Sequence, residues 1–99
     1  MYGLIGRIRA VAGKRDELVA VLSGGTGGMP GCSSYIVALD TTDPDCLWVT
    51  EVWDRQDSHY ASLQLPQVRA AIAKGRPLIA AFDSQVETTP IGGIGLPTR

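Results

Sequence analysis

A short stretch near the middle of the chain concentrates side chains that could perform acid–base chemistry. In TEVWDRQDSHY, residues 50–60, a carboxylate (Glu51), an indole (Trp53), the single histidine of the chain (His59) and a phenol (Tyr60) lie close together. Carboxylate and imidazole groups serve as general bases, and an aromatic side chain can wall a pocket for an aromatic ligand. The stretch is therefore either a catalytic cluster or the polar end of a strand followed by the start of a helix.

The alternation of side chains along the predicted strand decides where Glu51 points. Successive side chains of a strand project to opposite faces, so Val49, Glu51 and Trp53 share one face, and Trp48 and Val52 share the other. We expect the first face to lie beneath helices. Burial there disfavours the charged form of a carboxyl group, so the pKa of Glu51 should rise.

Glu51 also has a purely structural interpretation, as the acidic half of an ion pair with Arg7, Arg69 or Arg76. Ion-pair networks perturb buried acids just as catalytic sites do. The sequence leaves both interpretations open.

His59 has two interpretations as well. It is predicted in the first turns of a helix, where the positive end of the helix dipole disfavours an imidazolium and favours a neutral base. A single histidine is more often a surface or capping residue. In the same way, Trp53 could be a core residue, and Tyr60 could point outward.

The rest of the pattern predicts the elements that hold these residues. The predicted elements are a strand over Tyr2–Val11, a helix over Lys14–Leu22, a hairpin of Cys32–Asp40 and Asp45–Asp54, a helix capped by Asp54 and beginning at Arg55, a helix starting near Pro66, and a strand over Phe82–Thr89. The order βαββαβ is the ferredoxin-like plan, an α+β fold in which helices cover one face of a four-stranded antiparallel sheet. Residues 1–99 form one predicted domain, with residues 90–99 as a C-terminal arm.

The other face of this sheet must also be covered. Trp48, Thr50 and Val52 of the third strand are expected there, together with Tyr35 and Val37 of the second strand. Such a surface is too apolar to face water as a whole. A second copy packed sheet to sheet would cover it, so the sequence predicts a homodimer.

Composition and charge exclude several classes of protein. The net charge is −1, with nine basic and ten acidic residues and no basic stripe, so nucleic acid is not an expected partner. There is no apolar run of about 20 residues and no signal-peptide core, so we expect a soluble cytoplasmic protein without membrane contact. The glycine-rich segment 24–31 lacks the Lys-Ser/Thr of a P-loop and follows a helix, which predicts a connection or lid.

The two cysteines predict neither a disulfide nor a metal site. Cys46 should pair near Leu39 in the hairpin, which leaves Cys32 seven residues along the partner strand. That separation is about 20 Å, whereas a disulfide tolerates roughly 7 Å. No second thiol or histidine stands at zinc-site spacing, so we expect reduced thiols and no metal.

The segment EVWDRQDSHYASLQLPQVRAAI, which follows PGCSSYIVALDTTDPDCLWV, resembles the antibiotic biosynthesis monooxygenase family and, more narrowly, its quinol monooxygenases. The most characteristic pieces are Pro30-Gly31-Cys32 before the second strand and Glu51-x-Trp53 at the end of the third. The resemblance spans nearly the whole chain and implies a dimeric α+β barrel.

The resemblance also implies an activity, the cofactor-independent oxidation of a quinol- or anthrone-like aromatic by O₂ in a cavity between sheet and helices. It implies that Trp53 walls the substrate and that His59 or Glu51 takes its proton. Arg76 or Tyr60 would stabilise negative charge. Gly6 is assigned to the substrate site, at a first-strand position where haem-degrading relatives carry asparagine.

The chain departs from its relatives at several of their functional positions. It contains no asparagine, and Ser62 and Ile72 stand near the cavity tryptophan and the haem-ligating histidine of haem degraders, so haem is not expected. Val49 stands near a polar position of the anthrone oxidisers, and His59 near their tyrosine. Two other functions remain open: an isomerase or lyase in which His59 and Glu51 move protons without oxygen, and a non-catalytic dimer that binds an apolar metabolite or a partner protein.

Overall fold

The chain folds into a four-stranded sheet with helices packed on one of its faces. The computed structural model describes residues 1–25 and 27–96. In chain order the elements are β1 (Tyr2–Ala10), α1 (Arg15–Gly24), β2 (Cys32–Leu39), β3 (Cys46–Trp53), α2 (Gln56–Ser62), α3 (Pro66–Gly75), a 3₁₀ turn (Arg76–Leu78) and β4 (Ile79–Thr88). This order confirms the predicted βαββαβ plan, with boundaries that differ by a few residues. One cap was wrong: Arg55, and not Asp54, occupies the N-cap position of α2.

The sheet has the strand order β2-β3-β1-β4, and each neighbouring pair is antiparallel. This is the ferredoxin-like topology that the sequence predicts. β1 and β3 are the central strands, each hydrogen-bonded on both sides. Functional groups that project from central strands are held more precisely than groups on loops, and Gly6 and Glu51 both lie on these two strands.

The core lies between the sheet and α1. Its buried members are Ile8, Ala10, Leu18, Leu47 and Val49. The alternation along β1 and β3 places their apolar side chains on this face, and Leu18 of α1 is fully buried against them. Burying a leucine side chain contributes roughly 1.5–3 kcal/mol, so α1 fixes one wall of the space above the sheet.

One predicted facing was wrong. Tyr35 lies directly opposite Glu51, and Val37 opposite Val49, so these two residues of β2 share the face beneath the helices. The loop over residues 40–45 sets this register, and a shift of one residue exchanges the two faces of a strand. The sequence pattern of β2 alternates in the same way for either register, which is why it did not reveal the facing of Tyr35.

The sheet face away from the helices, called the open face below, carries both apolar and charged groups. Ile36 and Val86 are 55% and 51% exposed, and the Arg7 guanidinium lies over the Trp48 ring, 5.9 Å from its centroid. Ion pairs also cross this face, formed by Arg7, Arg9, Asp40, Asp43 and Asp83. The open face is therefore less uniformly apolar than the sequence suggested.

The two thiols lie at opposite ends of β3. Cys46 pairs with Arg9 of β1, whereas Cys32 pairs with Trp53, and both cysteines are free, as predicted. Pro90–Leu96 follow β4 without forming a further strand, and residues 97–99 of the predicted arm lie outside the described residues, as does Thr26 of the glycine-rich segment. In residues 1–25 and 27–96, no helix is long and apolar enough to cross a membrane.

Candidate active site

Glu51 lies where the alternation along β3 predicts, on the sheet face beneath the helices. Its side chain is 16% exposed, and the Trp53 Nε1–H donates a hydrogen bond to its Oε1 at 3.0 Å. Burial raises the pKa of Glu51, while the Trp53 hydrogen bond and nearby His59 favour the ionised form and partly oppose that rise. Oε2 accepts no hydrogen bond from any described residue.

The structural ion-pair interpretation of Glu51 finds no arginine partner in the described part of the chain. Arg7 lies on the open face and pairs there with Asp40 and Asp83. The side chain that approaches Glu51 is instead His59, whose Nε2 lies 4.0 Å from Oε1. Glu51 is thus a buried carboxyl group beside an imidazole.

His59 reaches the site from α2. It is the middle residue of this seven-residue helix. Its ring meets Trp53 edge-on, with centroids 5.5 Å apart, and its side chain is 15% exposed. Nδ1 is buried and has no hydrogen-bond partner among the described residues. Buried polar atoms are usually paired, and an exception is often a functional group.

Two adjoining cavities lie between the sheet and the helices. The larger one has a volume of about 550 Å³, within the range of small-molecule sites. The smaller one has a volume of about 130 Å³. They share part of their lining, which consists of Leu22, Tyr35, Glu51, Leu63, Ala71 and Ile72. Glu51 therefore lies at the junction of the two spaces.

The other predicted site residues are distributed unequally around these cavities. Gly6 and Arg76 line the larger cavity, while Trp53 and His59 line the smaller one. Tyr60 lines neither: its side chain is 54% exposed, and its hydroxyl accepts a hydrogen bond from Gln56 Nε2 at 3.3 Å. In the described residues, no three His, Cys, Asp or Glu side chains converge as a metal site would require.

Sequence reasoning missed Tyr35, which lines both cavities opposite Glu51. Burial and the adjacent Glu51 carboxylate raise the pKa of the Tyr35 phenol well above its usual value, so it is a neutral hydroxyl at neutral pH. It also missed Met29, a buried wall of the smaller cavity that comes from the glycine-rich segment. The hairpin register was the missing information for Tyr35, and no local pattern singled out Met29.

The arrangement brings together groups of the kind that serve in acid–base chemistry. A carboxyl group with a raised pKa keeps its proton to a higher pH than an ordinary one, and an apolar enclosure strengthens electrostatic effects on a group inside it. An imidazole beside the carboxylate can take the proton onward.

Comparisons with known proteins agree on one family. The family model described as antibiotic biosynthesis monooxygenase matches residues 1–74. Comparison with curated proteins found no match. A solved structure of a candidate antibiotic biosynthesis monooxygenase from Chloroflexus aurantiacus is 59% identical with a TM-score of 0.95, covering 97% of this chain and 98% of that one.

More distant structures carry the same fold. A candidate antibiotic biosynthesis monooxygenase from Deinococcus radiodurans is 26% identical with a TM-score of 0.77, over 95% of this chain and 96% of that one. Rv0793 from Mycobacterium tuberculosis is 19% identical with a TM-score of 0.78, over 94% of this chain and 97% of that one. At that identity the likeness to Rv0793 concerns the fold alone.

Proposed function

The chain belongs to the antibiotic biosynthesis monooxygenase family, and from that premise we propose that it oxidises an electron-rich phenol of the quinol or anthrone type with O₂. The single observation that carries the proposal is the position of Glu51, a buried carboxyl group at the junction of two largely apolar cavities. The larger cavity has room for an aromatic of two or three rings, and Glu51 can reach a hydroxyl group in it. The names of the structural relatives point to the same reaction class.

The chemistry requires a base more than it requires a cofactor. Removal of a phenolic proton gives a delocalised anion, which can pass one electron to O₂ and leave a phenoxyl radical beside superoxide. Combination of the two radicals forms a C–O bond, and protonation gives a hydroperoxide. The O–O bond then breaks as the proton on the same carbon leaves, which yields a C=O group and one molecule of water. For a hydroquinone the balance is quinol plus O₂ to hydroxyquinone plus water.

Within this scheme Glu51 is the base, and His59 accepts the proton from it. Trp53 is 1% exposed and tied to Glu51 Oε1, so we assign it the role of orienting the carboxylate as well as walling the smaller cavity. Arg76 at the edge of the larger cavity would stabilise the phenolate. Tyr60 takes no part, because it lies outside both cavities.

We further propose that the protein acts as a homodimer through its open face. Exposed Ile36 and Val86 lie there, on the side of the sheet opposite the cavities. The dimer would thus leave the reaction space beneath the helices free for substrate.

Oxygen uptake with a panel of hydroquinones and anthrones tests the function. Glu51→Gln keeps the size of the side chain but removes the base, so we expect the rate to fall by about 10²–10⁴, the usual contribution of general base catalysis. Glu17→Gln is the matched control, because Glu17 is an exposed glutamate of α1 whose neighbour is Lys14. The control should oxidise the same substrate at the wild-type rate.

Three outcomes would contradict the proposal. Turnover in the absence of O₂ would favour an isomerase or lyase. Binding of aromatics without any turnover across the panel would favour a non-catalytic binding protein. An unchanged rate in Glu51→Gln would remove the assigned base.

A further inference from the structure

The smaller cavity differs from the larger one in the size of the ligand that it can hold. At about 130 Å³ it is slightly below the roughly 150 Å³ of an apolar cavity that admits benzene or xenon. A two- or three-ring aromatic does not fit in it. The larger cavity, at about 550 Å³, is the one that can hold the organic substrate.

Two polar groups of the smaller cavity already have partners. The Ser62 hydroxyl donates to the His59 carbonyl at 2.6 Å, and the Trp53 indole donates to Glu51. Most of the remaining wall is apolar and includes Met29, Val68 and Ile72. His59 also lines this cavity, and its buried Nδ1 has no hydrogen-bond partner among the described residues.

From these features we infer that the smaller cavity is a binding site for a small apolar gas, and that in the reaction it holds dioxygen. The inference rests on the proposed oxygenase function. Dioxygen demands no hydrogen bonds and gains from leaving water for an apolar space. Glu51, at the junction of the two cavities, would hold the aromatic anion at the mouth of the gas site, so the electron has only a short distance to travel.

The position of His59 gives the gas site a second property. When O₂ gains an electron it becomes an anion, and a hydrogen-bond donor that has no other partner can stabilise this charge without reorganisation. The imidazole contributes such a donor when the proton resides on Nδ1. His59 Nδ1 would thus stabilise oxygen only after it is reduced, which is the condition for accelerating the electron transfer.

Xenon is the probe for the site, because its size and polarity resemble those of dioxygen and it needs no turnover. We expect crystals of the wild-type protein under xenon pressure to show xenon between Val68, Met29 and Trp53. Ordered water in that space, or xenon only in the larger cavity, would overturn the inference even if the protein consumes O₂. Conversely, xenon bound in the smaller cavity of a protein that consumes no O₂ with any substrate would contradict the proposed oxygenase function and not the gas site.

A filling substitution provides the kinetic test. Val68 lines the smaller cavity and not the larger one, so Val68→Phe should raise KM for O₂ by about tenfold and leave KM for the aromatic within about twofold. Val68→Leu gives a smaller shift in the same direction and serves if the larger residue prevents folding. Ala80 lines only the larger cavity. Ala80→Phe should therefore raise KM for the aromatic and leave the xenon occupancy of the smaller cavity unchanged. An unchanged KM for O₂ in both Val68 variants would contradict the inference.

Discussion

At the scale of single residues, Glu51 combines chemical usefulness with a cost to stability. Its carboxyl group is buried beside an indole N–H and an imidazole, and no lysine or arginine of the described residues forms an ion pair with it. Burial that raises the pKa also makes the ionised folded protein less stable than it would be with a neutral side chain. Such conflicts between stability and function are characteristic of reactive sites.

This conflict predicts how stability changes with pH. Because the pKa of Glu51 is raised above its ordinary value of 4.5, the folded protein retains a proton that the unfolded chain has lost. The contribution of Glu51 to stability is therefore fully present below about pH 4.5 and is lost as pH rises through the folded pKa. We expect Glu51→Gln to match the wild type near pH 4 and to be the more stable protein at pH 7, as measured by urea unfolding across this range.

Two comparisons isolate the effect. Glu17→Gln should differ from the wild type by a small amount that hardly changes with pH, since Glu17 is solvated. Because the neighbouring His59 opposes the rise of the Glu51 pKa, the series is repeated in a His59→Gln background, where the pH dependence should grow. A difference between Glu51→Gln and wild type that is constant from pH 4 to pH 7 would contradict the raised pKa.

At the scale of elements, the sequence predicted how each strand faces its neighbours only where the strand's own pattern decides it. It did not predict how separate elements are placed relative to each other. The alternation along β3 correctly placed Glu51 and Trp53, because a strand dictates the facing of its own residues. It did not place Tyr35, because the register of β2 on β3 depends on the conformation of the hairpin loop. The distance from His59 to Glu51 was also out of reach, since it depends on the path from β3 into α2.

That path is fixed in part by Gly31. Gly31 has a φ of +81°, and a Cβ at this position would lie 2.7 Å from both Asp54 Oδ1 and Ser58 Oγ. Its carbonyl accepts the Asp54 N–H at 2.8 Å. A glycine is needed here because the chain both turns left-handed and meets the start of the α2 segment, which is the physical reason for the glycine of Pro30-Gly31-Cys32.

We therefore expect Gly31→Ala to lower the free energy of unfolding by about 2 kcal/mol or more, of which about 1–2 kcal/mol comes from the left-handed conformation. It should also move the His59 ring, which would be seen as a change in the NMR chemical shifts of its ring protons. Gly24→Ala is the control, because Gly24 ends α1, has no neighbour within 4 Å of an added Cβ and should gain slightly from alanine. Equal free energies of unfolding for the two variants would contradict this prediction, because they would mean that the chain accommodates a Cβ at residue 31 without losing stability.

At the scale of the whole molecule, the two faces of one sheet have separate tasks. Along β3, Glu51 and Trp53 project toward the cavities, whereas Trp48 and Val52 project to the open face. The sheet has four strands, and no helix of the described residues packs on its open face. The open face is a mixture of apolar and paired charged groups, which suits an interface between identical copies, whose centre is apolar and whose rim is polar.

Ile36 offers the sharpest test of that interface. It lies on the open face of β2 and is 55% exposed in the single chain. A dimer with two-fold symmetry buries each substituted position twice, so Ile36→Glu should introduce two unpaired carboxylates and weaken association by about 100-fold or more. Leu39→Glu is the matched control, because Leu39 is on the same strand with a similar 50% exposure but pairs with Leu47 on the other face. Sedimentation velocity should show a dimer for the wild type and for Leu39→Glu, and a monomer for Ile36→Glu. A monomeric wild type, or dissociation of Leu39→Glu alone, would contradict an interface on the open face.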